Sequence, residues 1–316
     1  MTQELSRPSV TIKREPADWI VQELAEPKAD ADGAHACFYI EKTGRNTLDV
    51  VSDLAQALQL PRPEIGYLGR KDKHGITQQW FSAPVRHCEW PEISGTRLIT
   101  STRTAKKLKI GDLTGNRFRI TLRDVASRMA VREALDTARQ GFVNRFGAQR
   151  FGNEQPSEQH GIVQEASAWV LNRRRRRVPR AKRSWYLSVL RAFLFNEVAA
   201  RRAPALPRVT AGDYLVHGFP SAPLWGRGRS LTQGEAARQE ALALQPFQDL
   251  CEALEHAGVV QGRRALWVKP GEFELPESGE TENSLAVEFV LPKGAYATTL
   301  LSEVLTVTTH SAGQSE

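Results

Sequence analysis

The chain has 316 residues, enough for one large domain or two, and 41% of them are hydrophobic, the ordinary share for a packed globular fold. That share excludes a chain that is disordered throughout. The 43 Lys and Arg residues exceed the 36 Asp and Glu residues and give a net charge of +7, so we expect an anionic partner such as nucleic acid.

The first half of the chain mixes predicted strands with amphipathic helices. Apolar or alternating runs predict strands at His35–Lys42, Gln78–Val85, Arg97–Thr104 and Arg117–Arg123. In the last run, Phe118, Ile120 and Leu122 alternate with polar residues, which predicts a half-buried strand with a basic outer face. Helical spacing predicts helices at Asn46–Leu60 and at Ser127–Gln140, the second closed by Gly141.

The second half is mostly helical in pattern. Ser184–Ala200 is predicted to be a helix with one apolar face formed by Leu187, Leu190, Leu194 and Val198. Strand character returns at Ala265–Val268 and at Leu285–Leu291. The chain has neither a regular βαβ rhythm nor a Gly-rich phosphate loop, so the pattern predicts an α+β fold with a mixed, largely antiparallel sheet.

Metal-binding and membrane-spanning patterns are absent from the sequence. Cys37, Cys88 and Cys251 form no C-x-x-C pair, and the seven histidines show no metal-ligand spacing. Residues 1–16 are polar, and no run of 18 apolar residues occurs. We therefore expect a soluble cytoplasmic protein with free thiols, no metal and no membrane association.

One carboxylate stands among cations in the stretch R-K-D-K-H-G-I-T-Q-Q-W, from Arg70 to Trp80. Asp72 is flanked by Arg70, Lys71 and Lys73, and nearby cations favour an ionised carboxylate while attracting other anions. This combination suits a carboxylate that acts on a polyanionic substrate. The alternative is a charged surface turn, since Asp near Gly is ordinary turn chemistry.

The longer stretch from Gly66 to Phe81, G-Y-L-G-R-K-D-K-H-G-I-T-Q-Q-W-F, resembles the active-site signature of the TruD family of pseudouridine synthases. Other stretches resemble the same family in the same order: K-T-G-R-N-T (Lys42–Thr47), K-L-K-I-G-D-L-T-G-N-R-F (Lys107–Phe118), N-R-F-G-A-Q-R-F-G (Asn144–Gly152), K-R-S-W-Y-L-S (Lys182–Ser188) and L-P-K-G-A-Y-A-T (Leu291–Thr298). The resemblance covers nearly the whole chain.

The resemblance implies both an architecture and an activity. It implies a discontinuous catalytic domain of pseudouridine-synthase type, residues 1–141 and 271–316, and a mostly helical insertion domain, residues 142–270. The implied reaction is the cofactor-independent isomerisation of uridine 13 of tRNA, with Asp72 as the catalytic nucleophile. Three routes stay open for Asp72: attack on the ribose, attack on the uracil ring, or removal of a proton from the ribose. No protein partner is implied, and we expect a monomer. Lys13 lies where the family has a basic residue that pairs with the catalytic carboxylate, although an exposed lysine explains it equally well.

A uridine in folded RNA must be flipped out of its stack before its glycosidic bond can be reached. The family motifs place pocket aromatics at Phe118 and Tyr296, and Trp19 stands where the family usually has Phe. The alternation around Phe118 favours core packing, and Trp19 and Tyr296 also fit core or rim positions. The amide of Asn116 matches the donor and acceptor of uracil, with a turn residue as the alternative.

A basic segment is predicted to bind RNA phosphates, which gives affinity without sequence information. Its members are Arg173, Arg174, Arg175, Arg176, Arg177, Arg180, Lys182 and Arg183. The alternative for such a run is a solvated face. Two other functions compete for the whole chain, a catalytically silent RNA-binding protein or RNA chaperone and an RNA methyltransferase. The methyltransferase would need a cofactor loop, and no G-x-G-x-G follows a predicted strand.

Overall fold

The computed structural model describes residues 7–86, 89–152, 159–172, 177–277 and 283–310. Its strands are β1 Ser9–Ile12, β2 Trp19–Leu24, β3 His35–Thr43, β4 Gly66–Tyr67, β5 Ile76–Ala83, β6 Thr96–Thr104, β7 Gly115–Arg123, β8 Phe142–Val143, β9 Leu215–Val216, β10 Phe219–Leu224, β11 Gly262–Ala265, β12 Trp267–Val268, β13 Gly271–Glu274, β14 Ser284–Pro292 and β15 Thr306–Thr309. Its helices are α1 Thr47–Ala57, α2 Arg128–Arg139, α3 Gln159–Leu171, α4 Arg180–Arg202, α5 Gly234–Leu244, α6 Gln248–His256 and α7 Ala297–Val304.

The chain divides into two compact units. Unit 1 comprises Met1–Arg139, Pro270–Ala295 and Val304–Glu316, and unit 2 comprises Gln140–Lys269 and Tyr296–Glu303. The predicted domains, 1–141 with 271–316 and 142–270, stay a prediction, because a compact unit need not fold on its own.

Unit 1 is built on a ten-stranded mixed sheet within the described residues, in the order β13-β14-β7-β2-β5-β3-β6, with β1, β4 and β15 attached at its sides. The β1–β15 and β2–β5 pairs are parallel, and the others are antiparallel. The α+β prediction with a largely antiparallel sheet is confirmed. Strand β14 pairs with β7 from Ser284 opposite Arg123 to Pro292 opposite Gly115, so this late segment of the chain lies in the same sheet as the early strands.

Helix α1 covers one part of the sheet. Its buried residues Val50, Val51, Leu54 and Ala55 recur at helical spacing and pack against Phe38 and Phe81 of β3 and β5. The helix was predicted to reach Leu60, but it ends at Ala57.

The predicted basic outer face of β7 is present but neutralised by neighbouring acids. Arg117 pairs with Glu272 of β13 at 2.6 Å, Arg119 with Glu288 of β14 at 3.5 Å, and Arg123 with Asp18 at 2.7 Å. Each arginine meets an acid from an adjacent segment of the fold, which a strand pattern alone does not reveal. The buried face of β7 carries Phe118, Ile120 and Leu122, as predicted.

Unit 2 is centred on α4. The predicted face of Leu187, Leu190, Leu194 and Val198 is buried in its core together with residues of α3 and α6. Two small sheets complete the unit within the described residues: β11-β10-β9 and the antiparallel pair β8–β12. No helix in the described part of the chain is long and apolar enough to cross a membrane.

Candidate active site

Asp72 lies in unit 1, in the loop that joins β4 to β5. The indole Nε1 of Trp19, 53 positions earlier in the sequence, donates a hydrogen bond of 2.7 Å to Asp72 Oδ2. The ammonium Nζ of Lys13 lies 3.6 Å from the same oxygen. The side chains of Lys13 and Asp72 are 11% and 19% exposed, so this ion pair is only partly screened by water. A cation and an N–H donor therefore both contact Oδ2 of Asp72.

The backbone of Lys13 is held in a conformation that side-chain-bearing residues rarely adopt. Its φ is +58°, in the left-handed region, which costs about 1–3 kcal/mol for a residue other than Gly. The ammonium also lies 4.3 Å from the centre of the Trp19 ring, within the range of a cation–π interaction. Lys13, Trp19 and Asp72 thus contact one another pairwise, and the strained backbone is consistent with a functional constraint on Lys13.

Gly75 allows the Asp72 loop to approach β2 closely. A Cβ atom at this position would lie 2.5 Å from the carbonyl oxygen of Trp19 and 3.0 Å from its Cδ1. Any side chain would therefore push the loop away from Trp19. The glycine that follows His74 in the motif is explained by this contact, which keeps the Trp19 indole within hydrogen-bonding distance of Asp72.

A buried ion pair fixes the residue before Asp72. Lys71 Nζ forms a salt bridge and hydrogen bond with Glu23 Oε2 of β2, and both side chains are almost fully buried. Glu23 Oε1 also accepts a hydrogen bond of 2.9 Å from the backbone N–H of Trp80. Burial raises the pKa of Glu23 above its ordinary value, while the charge and hydrogen bond of Lys71 oppose that rise.

Sequence reasoning missed Glu23, and it also missed Lys42 of β3, which is almost fully buried. Both left a signal in the sequence. Glu23 is in phase with the buried Trp19 and Val21 along β2, and Lys42 is in phase with Phe38 and Ile40 along β3. A charged residue at an inward position of an alternating strand indicates a buried ion pair or a positioned charge.

Phe118 of β7 is 7% exposed, so the core packing favoured by its alternation is present. Its ring meets Trp19 edge-on at 6.2 Å between ring centres and tilts against Phe289 at 5.5 Å. Trp19 itself is 2% exposed. The structure thus brings Phe118 and Trp19 together beside Asp72, in a cluster whose exposed surface is small.

Asn116 is two residues before Phe118 on β7, and on the same side of the strand. Its Oδ1 is buried, and no hydrogen-bond partner reaches it in the described part of the chain. An unmade hydrogen bond at a buried acceptor costs about 1–3 kcal/mol. The orphaned oxygen is therefore ready to accept an N–H group from a ligand, which a simple turn residue would not explain.

Tyr296 belongs to unit 2, where its hydroxyl accepts a hydrogen bond of 3.1 Å from Arg150 Nη2. Its ring meets Phe146 edge-on at 6.2 Å, and the guanidinium of Arg264 lies 5.9 Å from its ring centre. Burial lowers the pKa of Arg264 to about 10, Tyr296 opposes that change, and the charge of Arg150 adds to it. Tyr296 thus lies in an aromatic and cationic cluster.

The basic segment falls only partly on described residues. Arg173, Arg174, Arg175 and Arg176 lie outside them. Arg177 and Arg180 are exposed, Lys182 pairs with Glu165 at 3.1 Å, and Arg183 donates to the carbonyl oxygen of Ala257 at 3.2 Å. The last three cations occupy the first turn of α4, where the helix dipole disfavours positive charge by about 0.3–1 kcal/mol each. That placement does not stabilise the helix.

No group of three or more His, Cys, Asp or Glu side chains in the described ranges is arranged to hold a metal ion. The groups that contact the Asp72 carboxylate are the ammonium of Lys13 and the indole N–H of Trp19.

Comparisons with known proteins identify the relatives of this chain. The TruD family model, described as tRNA pseudouridine synthase D, matches residues 3–166. The tRNA pseudouridine synthase D of Shewanella oneidensis is 36% identical over 92% of this chain and 84% of its own length, and that of Cellvibrio japonicus is 35% identical over 95% and 90%. A crystal structure of a putative TruD from Methanosarcina mazei is 21% identical, covers 96% of this chain and 95% of its own, and superposes with a TM-score of 0.68, which shows the same fold.

Proposed function

Since the chain belongs to the TruD family of tRNA pseudouridine synthases, we propose that it isomerises uridine 13 of tRNA to pseudouridine, with Asp72 as the nucleophile. The observation that carries this proposal is the arrangement around Asp72. Lys13 and Trp19 both contact Oδ2 of a carboxylate that lies in the stretch resembling the family's active-site signature. An ionised, oriented carboxylate is the group that nucleophilic catalysis requires.

The reaction needs no co-reactant, because pseudouridine has the same atoms as uridine. The bond between N1 of uracil and C1′ of ribose breaks, the base rotates, and C5 forms a new bond to C1′. The proton that leaves C5 balances the one that N1 gains. In our proposal the Asp72 carboxylate bonds to C1′ as the bond from C1′ to N1 breaks, and it is displaced again when C5 bonds to C1′. Lys13 pairs with this carboxylate.

The target base is proposed to be flipped out of the RNA stack into a pocket of unit 1 formed by Trp19, Asn116 and Phe118. Unstacking costs a few kcal/mol, and stacking on an aromatic side chain returns about 1–3 kcal/mol per base. The unpartnered Oδ1 of Asn116 supports this proposal, because N3–H of uracil is the donor that such an acceptor would take. The role of Tyr296 stays a prediction.

Arg173–Arg177, Arg180, Lys182 and Arg183 are proposed to bind tRNA phosphates. The unfavourable placement of cations in the first turn of α4 supports this role, since a partner's negative charge would offset the repulsion. We expect the protein to act as a monomer in the cytoplasm, where tRNA is available.

The decisive test is the Asp72→Asn variant, which removes the negative charge with almost no change in volume. We expect no pseudouridine at position 13 of a tRNA transcript in single-turnover assays, with the Kd for tRNA within about threefold of the wild-type value because phosphate contacts dominate affinity. Asp136→Asn on α2, a change of the same chemistry at an exposed residue, serves as the control. Turnover by Asp72→Asn near the wild-type rate would reject the nucleophile. A wild-type protein that binds tRNA but forms no pseudouridine would instead favour a silent RNA-binding protein.

A further inference from the structure

Lys42 is a buried lysine whose ammonium contacts the main chain of the Asp72 loop. The residue is 1% exposed and lies on β3, in phase with the buried Phe38 and Ile40. Its Nζ donates hydrogen bonds of 2.8 Å to the carbonyl oxygen of Asp72 and 2.7 Å to that of Arg45. An ammonium without hydrogen bonds is very costly to bury, so these carbonyl contacts account for a lysine in this position.

Thr47 lies at the other end of the same K-T-G-R-N-T stretch and holds the same loop one residue earlier. Its Oγ1 accepts a hydrogen bond of 2.9 Å from the backbone N–H of Lys71 and donates one of 2.8 Å to Gln79 Oε1. Gln79 Nε2 in turn donates to the carbonyl oxygen of Gly69 at 3.1 Å. Buried side chains therefore hold the main chain of the loop at Gly69, Lys71 and Asp72.

We propose that Lys42 and Thr47 are positioning residues for the isomerisation: they fix the main chain on both sides of the Lys71–Asp72 peptide and so hold the Asp72 carboxylate in its reactive orientation. This inference rests on the proposed role of Asp72. It assigns a task to the K-T-G-R-N-T stretch, whose ends converge on consecutive residues of the loop. The hydrogen bonds described above join both residues to the main chain of the loop, so we assign them an action through the backbone.

The charge of Lys42 makes this device sensitive to pH. The pKa of Lys42 is lowered to about 8, chiefly by burial; the charges of Lys71 and Arg45 act in the same direction, and those of Asp72 and Asp49 act in the opposite one. Above that pH the neutral amine has two N–H donors instead of three, so its hydrogen bonds to the carbonyl oxygens of Asp72 and Arg45 weaken. We therefore expect the rate of the chemical step to fall as pH rises through about 8.

Loss of folding does not explain such a fall. A lysine whose pKa is lower in the folded state than in the unfolded chain is less destabilising once it is neutral. Between pH 8 and the ordinary lysine pKa of 10.5, the unfolded chain binds more protons at this site than the folded one, so the contribution of Lys42 to stability improves as pH rises. As pH rises above about 8, the rate of the chemical step should therefore fall, while the contribution of Lys42 to stability should rise. We call this fall in rate the alkaline limb.

The test compares Lys42→Met, which keeps the length of the side chain but not its charge, with Lys28→Met, a change at an exposed lysine. Single-turnover rates and tRNA Kd values are measured separately from about pH 6.5 to 9.5. For Lys42→Met we expect a rate about 10- to 100-fold lower at pH 7, as displaced catalytic groups show, with the tRNA Kd within about twofold and no alkaline limb near pH 8. Lys28→Met should behave as the wild type does.

A second pair of variants protects the test against misfolding of Lys42→Met. Thr47→Ser keeps the hydroxyl and should retain most of the rate, whereas Thr47→Val keeps the shape and should lose about tenfold or more. A wild-type rate and an unchanged alkaline limb in Lys42→Met, or equal rates for Thr47→Val and Thr47→Ser, would overturn the inference. An inactive Asp72→Asn alongside either result would reject only the positioning role, while an active Asp72→Asn would reject the proposed function itself.

Discussion

Replacing Phe118 with Ala separates its packing role from its proposed contact with the flipped base. The Phe118 side chain is buried, with only 7% of its surface exposed, and its ring contacts Trp19 and Phe289. Removing a buried Phe side chain costs about 3–5 kcal/mol, and each aromatic pair contributes about 0.5–1.5 kcal/mol beyond the buried area. We therefore expect Phe118→Ala to lower the free energy of unfolding by about 4 kcal/mol.

Phe289→Ala is the matched control. Phe289 lies directly opposite Phe118 on β14, is fully buried, and contacts both Phe118 and Phe273. It has a similar expected loss of stability but no proposed contact with the base. The free energy of unfolding is measured by urea denaturation. Single-turnover pseudouridine formation is measured on the same samples and divided by the folded fraction.

If Phe118 also stacks on the flipped uracil, its loss should remove about 1–3 kcal/mol of transition-state stabilisation, which is about 5- to 150-fold in rate per folded molecule. Phe289→Ala should leave that rate within about twofold of the wild-type value. Equal rates per folded molecule for the two variants would refute the stacking role and leave Phe118 as a core residue.

Three further predictions concern the charges and the architecture. Glu23→Gln should destabilise unit 1 by about 3–5 kcal/mol in urea denaturation, because Lys71 is left as an uncompensated buried charge. The control Glu41→Gln disrupts the more exposed pair with Arg97 and should cost about 1 kcal/mol or less in the same measurement. Changing Arg173–Arg177 to Gln should weaken binding of every tRNA alike. It should also lower the slope of log Kd against log salt by about one unit per lost phosphate contact. An unchanged slope would identify these residues as a solvated face. Ending the chain before Ser284 should abolish cooperative unfolding, because β7 loses a partner strand along nine residue pairs, so a soluble and active truncation would contradict that reasoning.

The local patterns of the sequence determined much of the secondary structure. The alternation of Phe118, Ile120 and Leu122 predicted the buried face of β7, and the spacing of Leu187 to Val198 predicted the buried face of α4. These predictions succeed because the period of side-chain direction is a property of the local backbone. Element ends were less well determined, and α1 stops three residues before the predicted Leu60, since a helix end depends on the residues that pack around it.

The chemistry of the site was readable only in part. The motif around Asp72 identified a carboxylate among cations, and the family resemblance indicated Lys13 as its partner. The alternation of β2 and β3 indicated that Glu23 and Lys42 point inward. It did not indicate which group each of them contacts.

Only the tertiary structure determined which groups these buried side chains contact. The parallel pairing of β2 with β5 places Glu23 beside Lys71 and Trp19 beside Asp72. The pairing of β3 with β5 places the Lys42 ammonium within hydrogen-bonding distance of the Asp72 carbonyl oxygen. Likewise, β1 pairs with β15 although they stand near opposite ends of the chain. A strand's sequence determines which side chains face inward, but strand order and register are set by how all the strands bury their faces together, so the partner of a buried charge is a property of the whole sheet.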